Sequence, residues 1–338
     1  MPLVEDGNID NFIPKNTPIV SLDGLFGVAR LYMKDESKNP TNTFKDRLAF
    51  EMIRPTVEKF KSGVVPEKIT FGSISYGNTA KAMGYFSRLV NKIIGEDIIK
   101  SVAFTPPSLS ERTFGPNVRG QTVSAVSVIG NIKKDCIVTP IDLKEKIYRS
   151  KDLEDLARSR DLVQGEFVDI TEGLDRPAYV NIIIEAIEQQ LESVPDYVIV
   201  PFGAGILCNE IIDYIADKKL HTKVIPVSSG DPDTIAIMLY GPIWVDTKSL
   251  LENGWGVTRH ESPDKTGRER KEYKVYHVSD DEIMNAMSVL KTKDIDAEPS
   301  GASGFALIPR LSRIDPEFNP EVHSVLVINT GDGILNYI

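Results

Sequence analysis

The sequence predicts an α/β protein of two open lobes, and three observations carry that expectation. Short apolar runs pass repeatedly through glycine-containing turns into stretches of helical spacing, the pattern of successive βα units. One run, Asp196-Tyr197-Val198-Ile199-Val200, is continuously apolar after its first residue, as in a strand covered on both faces of a parallel sheet. A length of 338 residues, with 41% hydrophobic and 26% charged residues, suits a soluble globular chain with room for two lobes of ordinary size.

The elements follow in order. The opening MPLVEDGNIDNF is acidic and lacks an apolar core, which speaks against a signal peptide, and no apolar run is long enough to span a bilayer. Residues through Thr17-Pro18-Ile19 read as an extended arm. Leu31-Tyr32-Met33 is a short β-type run that enters a polar turn with Asn39 and Pro40. Thr41 or Thr43 is placed to cap a helix from about Phe44 to Lys61, interrupted or ended near Pro55. Lys68 to Phe71 reads as a strand, and Thr79 to Val90 sets Ala82, Met83, Phe86 and Leu89 at helical spacing. Lys100 to Phe104 is a strand ended by Pro106-Pro107, Thr122 to Ile129 is another, and Asp142 to Arg160 holds a helical stretch. Asn131 to Pro140 receives no assignment.

A helix over Ala178 to Ser193 then feeds the apolar strand, PFGAGILCNEIIDYI supplies a glycine-rich turn and a helix, and Lys223 to Ser228 is the next strand. The charged run from Asp264 to Lys274 has the composition of a solvated loop. Ser279, with Glu282 three residues on, makes a capping box, and the chain closes with EPSGASGFALIPRL and the strand-plus-turn SVLVINTGDG. The resulting division is a large α/β domain over 1–49 and 161–338 and a smaller α/β domain over 50–160 that carries the SYGNT loop.

Composition narrows the function. Asp and Glu number 49 against 39 Lys and Arg, a net charge of −10, so a general attraction to nucleic acid is not expected. Cys136 and Cys208 are far apart and read as buried, free thiols in a reducing, cytoplasmic setting. His221, His260, His277 and His323 are equally scattered, without the spacing of metal ligands, so no metal site is expected.

The chemistry concentrates at strand ends. Lys45 sits where a strand hands over to a helix, and the exposed N–H groups of a helix start disfavour an ammonium, which keeps a lysine neutral and nucleophilic. That is the environment of a Schiff-base lysine. The loops around Lys45, Asn78, Gly203 to Leu207 and Thr330 to Gly333 all fall at strand ends, where open parallel sheets bind ligands, and are expected to form one site. The turn Gly203-Ala204-Gly205-Ile206-Leu207 can aim backbone N–H groups at an anion. A dinucleotide fingerprint competes here, but Cys208 replaces its third glycine.

KDESKNPTNTFKDR resembles the lysine motif of the fold-type II pyridoxal-phosphate (PLP) enzymes, in the KDE..NPTGSFKDR form typical of threonine synthases. Asn42 and Thr43 stand where that family has Gly and Ser, and Leu48 where a small residue is common. SYGNT resembles the family's S-S/T-G-N-T loop, with Tyr76 in place of Ser or Thr; the turn at Gly203 is a looser variant of its GxGG phosphate loop. TGDG resembles the terminal TGHG of threonine synthases, with Asp332 in place of His, and EPSGA matches directly. These motifs run in the family's order from about Thr17 to Gly333.

The resemblance implies a tryptophan synthase beta-like architecture and PLP as cofactor. It implies Lys45 as Schiff base and proton carrier, Gly203, Ala204, Gly205, Ile206 and Leu207 around the cofactor phosphate, and Asn78 on its 3′-oxygen. Ser75, Tyr76, Gly77 and Thr79 are then expected to hold the substrate carboxylate. Thr330 would face the pyridine nitrogen and leave it largely unprotonated, which favours elimination and replacement at Cβ or Cγ over transamination. The implied activity is a lyase of threonine biosynthesis that converts O-phosphohomoserine and water to threonine and phosphate. Arg47, Lys34, Arg259, Lys265, Arg268 and Arg270 are candidates to hold the leaving phosphate. The alternatives are a cysteate synthase-like β-replacement, a serine/threonine dehydratase, and a PLP-binding scaffold without turnover. The expected partner is a small, phosphorylated amino acid; neither nucleic acid nor membrane is expected, and a homodimer is compatible.

Overall fold

The computed structural model describes residues 13–75, 77–106, 113–116, 122–142, 148–171, 177–231, 234–236, 239, 249–252, 255–261 and 272–333. In chain order the strands are β1 (Ile19–Ser21), β2 (Arg30–Asp35), β3 (Ile69–Ile74), β4 (Ile99–Thr105), β5 (Thr113–Pro116), β6 (Thr122–Ser124), β7 (Ile137–Pro140), β8 (Glu166–Asp169), β9 (Tyr197–Pro201), β10 (Lys223–Ser229), β11 (Ser249–Glu252), β12 (Trp255–Glu261), β13 (Glu272–Val278) and β14 (Ser324–Asn329). The helices are α1 (Lys45–Lys61), α2 (Asn78–Ile94), α3 (Ala125–Ile132), α4 (Ser150–Ser159), α5 (Val180–Ile184), α6 (Ile206–Asp217), α7 (Asp280–Lys291), α8 (Pro299–Leu307) and α9 (Leu311–Ile314). Among the described residues no helix is long and apolar enough to cross a membrane.

The chain divides into two compact units, the described residues within 1–15, 39–178 and 333–338, and those of 16–38 and 179–332. The divides thus fall at 15/16, 38/39, 178/179 and 332/333, where the sequence suggested 49/50 and 160/161. Lys45 and its helix belong with the first unit.

That first unit is built on a parallel four-stranded sheet in the order β7-β4-β3-β8, with β5 and β6 as a separate antiparallel pair. Helix α1 forms because Leu48, Met52 and Ile53, and Val57 recur at helical spacing on one buried face, and it continues through Pro55. Its Phe50 meets Phe86 of α2 edge-on, ring centroids 5.8 Å apart. Gly72 keeps β3 bare where the Phe167 ring of β8 lies across it, so a β-carbon would collide with that ring. The expected strand over 122–129 is corrected here: β6 ends at Ser124 and residues 125–132 form α3. Val128 and Ile132, four residues apart, are both buried, and that packing outweighs the β preference of the Val and Ile residues. The unassigned stretch contains the end of α3 and edge strand β7.

The second unit holds a mixed eight-stranded sheet, β1-β2-β14-β9-β10-β13-β12-β11. Its five central strands, β2 to β13 in that order, are mutually parallel; β1 pairs antiparallel with β2 at one edge, and at the other β12 pairs antiparallel with β13 and β11 antiparallel with β12. Every residue of β9 and β14 is buried, in keeping with the apolar runs Tyr197–Pro201 and 325–328. Helix α8 approaches the sheet closely because Gly304 has no side chain: a β-carbon there would lie 2.6 Å from Val327 Cγ1. The helix expected over 178–193 is α5 followed by a π-helical stretch, Glu185–Gln190. Of the charged run expected as a loop, 272–274 open β13, and the rest from 264 lies outside the described residues. The capping box forms as expected, Ser279 Oγ accepting from Glu282 N at 3.3 Å and Ser279 N donating to Glu282 Oε2 at 2.8 Å.

Candidate active site

In the first unit, Lys45 is the first residue of α1, half-buried, its Nζ 4.4 Å from the Phe44 ring centroid. The loop before it is tied from inside the helix. The buried Asp46 carboxylate accepts from Thr41 N at 2.6 Å and from the Thr41 hydroxyl, and Thr43 Oγ1 accepts from Lys45 N at 3.3 Å. Asn42 adopts φ +63°, a left-handed conformation that glycine takes at no steric cost and asparagine tolerates. The departure from Gly to Asn in the lysine motif is therefore one the backbone can accept.

The second motif loop starts α2. Ser75 is buried and its Oγ accepts from Gly77 N at 3.2 Å and from Ala80 N at 3.0 Å, so the hydroxyl organises the helix start. Gly77 precedes Asn78, the first helical residue, and Thr79 follows half-buried; Tyr76 lies outside the described residues. Lys81, one turn further on, donates to Gly333 O at 2.9 Å. Gly333 in turn packs against Asn78: a β-carbon on it would stand 2.6 Å from Asn78 Oδ1, 3.2 Å from Thr41 O and 3.3 Å from Asn42 O. The lysine loop, the asparagine loop and the last glycine of TGDG thus meet at one point. Nearby, burial and then the Asp46 carboxylate hold the Tyr85 phenol above its ordinary value.

In the second unit, β9 runs into Phe202 and the turn Gly203 to Gly205, and α6 begins at Ile206. Gly205 sits at φ +81°, and the first in-helix bond after it is Asn209 N to Gly205 O at 2.8 Å. The N–H groups of Ile206, Leu207 and Cys208 stand ahead of that bond, which leaves them for an acceptor outside the helix. Gly203 is half-buried and Ala204 exposed, whereas Leu207 packs inward. Cys208 is fully buried, and burial pushes its thiol up. Cys136 is also buried, its thiol pushed up to about 12.

Thr330 directly follows β14, the parallel neighbour of β9, and is 3% exposed. The turn that carries it is clamped from two sides. Glu298, the N-cap of α8, donates its N–H to Gly331 O at 3.0 Å, and Gly331 N donates to Asn329 Oδ1 at 3.2 Å. A β-carbon at Gly301 would collide with Asn329 Oδ1, which explains the glycine of EPSGA. Sequence reasoning passed over Asp46, Lys81, Asp35 and Asn329; each lies inside or beside a motif already singled out, but its partner is remote in sequence or invisible to spacing.

Of the expected phosphate ligands, Lys34 is corrected. Its Nζ is buried and donates to Thr17 O at 2.5 Å, Glu185 Oε2 at 2.7 Å and Gln190 Oε1 at 3.1 Å, which occupies the three donors of an ammonium. Arg47 is buried in the first turn of α1, the side chain of Arg259 is not among those described, and Lys265, Arg268 and Arg270 lie outside the described residues.

A family model described as pyridoxal-phosphate dependent enzyme matches residues 12–331. The chain belongs to this family. Over 148 residues it is 26% identical to the biosynthetic L-threonine dehydratase of Corynebacterium glutamicum, covering 42% of this chain and 33% of that enzyme. The match therefore spans about a third of the length of that curated relative. The structure resembles the diaminopropionate ammonia lyase of Escherichia coli in its apo form (TM-score 0.64, 20% identity, 98% of this chain and 86% of that one). It also resembles the O-acetylserine dependent cystathionine beta-synthase of Helicobacter pylori (TM-score 0.64, 17% identity, 100% and 99%) and a PLP-dependent aspartate racemase (TM-score 0.61, 20% identity, 94% and 90%). At these identities the likeness speaks for the fold, the tryptophan synthase beta-like α/β architecture of fold-type II.

The protein is a PLP-dependent enzyme, and its residues suit that cofactor. An amine opens α1, the first N–H groups of α6 follow the Gly203 turn, and the hydroxyl of Thr330 stands directly after β14.

Proposed function

We infer that the enzyme is of the threonine synthase type, converting O-phosphohomoserine and water to threonine and inorganic phosphate. The observation that carries this reading is the lysine segment KDESKNPTNTFKDR, whose Thr41 and Asn42 carbonyls pack on the last glycine of TGDG, since these two segments are the ones most similar to threonine synthases. PLP, when bound, supplies an electron sink for negative charge at the substrate carbons. Lys45 is the covalent attachment point and then the base that moves protons at Cα, Cβ and Cγ, while phosphate leaves from Cγ and water adds at Cβ. The N–H groups of the Gly203 to Leu207 turn would hold the cofactor phosphate, and Asn78 would hydrogen-bond its 3′-oxygen. Ser75, Gly77 and Thr79, with Tyr76, hold the substrate carboxylate. Thr330 offers the ring nitrogen a neutral hydroxyl, which suits elimination and replacement better than transamination.

A second reading, deamination of serine or threonine, is supported by the stretch similar to L-threonine dehydratase. One experiment separates them. The PLP-loaded enzyme is incubated with O-phosphohomoserine and, separately, with O-phosphoserine, serine and threonine, and threonine, phosphate and 2-oxo acids are quantified. Threonine and phosphate released together support the synthase; 2-oxo acid from serine or threonine, with O-phosphohomoserine left intact, supports the dehydratase.

A further inference from the structure

We propose that Asn329 is a positioning residue, braced by Asp35, that fixes the backbone on both sides of Thr330 and so aims the Thr330 hydroxyl. The inference rests on the reading of Thr330 as the partner of the ring nitrogen.

Asn329 is the last residue of β14 and 0% exposed, and in the parallel register it lies beside Asp35, the last residue of β2. Its Nδ2 donates to Asp35 Oδ1 at 3.0 Å, and its Oδ1 accepts from Gly331 N at 3.2 Å. The amide has only one workable orientation, because the carboxylate can only accept and the backbone N–H can only donate. Asp35 is itself held: its Oδ1 accepts from Ser37 N at 3.2 Å and Ser37 Oγ at 2.6 Å, and Lys38 Nζ lies 3.6 Å from its Oδ2. On the far side of Thr330, the Gly331 carbonyl is taken by Glu298 N and the chain bends at φ +140°. Gly301 closes the remaining space over Asn329 Oδ1.

Thr330 therefore hangs between an anchored side chain at 329 and a residue at 331 whose N–H and C=O are both engaged. A hydroxyl rotor on an unanchored turn would spread over several directions; here the carbon that carries it has one position. Asn329 touches no reacting atom in this scheme and acts through its neighbour.

The test uses PLP-loaded enzyme and reads the visible absorption and circular dichroism of the bound cofactor, with PLP affinity by titration. Asn329→Ala is expected to shift the visible spectrum in the same direction as Thr330→Ala and to weaken PLP binding about tenfold, the loss of a hydrogen bond or two. The double variant Asn329→Ala/Thr330→Ala should add nothing to Thr330→Ala alone, because the two act through one group. Asp35→Asn, which keeps an oxygen for the Asn329 amide, should retain the native spectrum, while Asp35→Ala should not; this pair serves if Asn329→Ala does not fold. Additive effects, or a native spectrum in both Asn329→Ala and Asp35→Ala while Thr330→Ala shifts it, overturn the proposal and leave the role of Thr330 standing. A native spectrum in Thr330→Ala overturns that role and the proposal with it.

Discussion

Gly333 and Asn78 are in contact across more than two hundred residues of sequence, so close that a β-carbon on the glycine would stand 2.6 Å from Asn78 Oδ1. The carbonyls of Thr41 and Asn42, at 3.2 and 3.3 Å, close the other side, and backbone cannot swing away as a flexible side chain can. Gly333→Ala should therefore displace Asn78 and cost about 1–3 kcal/mol, the usual range for overpacking. Urea unfolding measures the stability loss, and PLP titration should show weaker binding than wild type. An alanine variant with native stability and native PLP affinity would mean that the contact is looser than described.

Lys45 opens α1 at the loop fixed by Thr41, Thr43 and Asp46. Borohydride treatment of the PLP-loaded enzyme, followed by proteolysis and mass mapping, should find the pyridoxyl group on Lys45. Lys81 is the informative control, since it reaches the same cluster through Gly333 O. A label on Lys81 or any other lysine sinks the assignment of Lys45.

Much of this was legible from the chain alone, and the reason differs from element to element. Strands β9 and β14 announce themselves through the apolar runs that a strand buried on both faces needs, and the capping box at Ser279 is a local rule that the fold obeys. Asn42 is a departure from its motif that only φ +63° makes intelligible. Helix α3 was hidden because Val and Ile lean toward strand, while burial of Val128 and Ile132 decides in favour of helix. Lys34 misled because a lysine in a motif suggests anion binding; its acceptors Glu185 and Gln190 are about 150 residues away and leave no local trace. The same holds for Asp35 and Asn329, which become partners only through strand register.

His277 offers a pH test. Burial, and then the Arg310 guanidinium, hold its imidazole below the ordinary 6.5, and Arg310 donates to the His277 carbonyl at 2.5 Å. As pH falls through about 6.5 the unfolded chain takes up a proton that the folded chain refuses, so this residue lowers stability on acidification and has no effect well above 6.5. Urea unfolding at pH 7.5 and 5.5 should show a stability loss that is smaller in His277→Gln. Equal losses in the two proteins would assign the acid sensitivity to other groups.

The buried pair Lys34–Glu185 gives the sharpest stability prediction. The two groups are 2.7 Å apart with side chains 0% and 5% exposed, and Thr17 O and Gln190 Oε1 complete the ammonium's shell. Lys34→Met would leave the Glu185 carboxylate facing apolar surface and remove the ammonium from Gln190 Oε1, while Thr17 O keeps its bond from Gln190 Nε2 at 2.9 Å, a loss of about 3–5 kcal/mol. Lys34→Met/Glu185→Leu removes both charges and should recover most of that loss, because the desolvation cost of a buried pair is close to its Coulomb gain. An exposed lysine such as Lys92 supplies the control, with Lys92→Met expected within about 0.5 kcal/mol of wild type. Urea unfolding of the four proteins should rank wild type, Lys92→Met and the double variant together, with Lys34→Met well below. The double variant also separates structure from catalysis: if Lys34 only braces the fold, its affinity for a phosphorylated substrate should match wild type. A double variant that is stable yet loses that affinity would return Lys34 to the phosphate site.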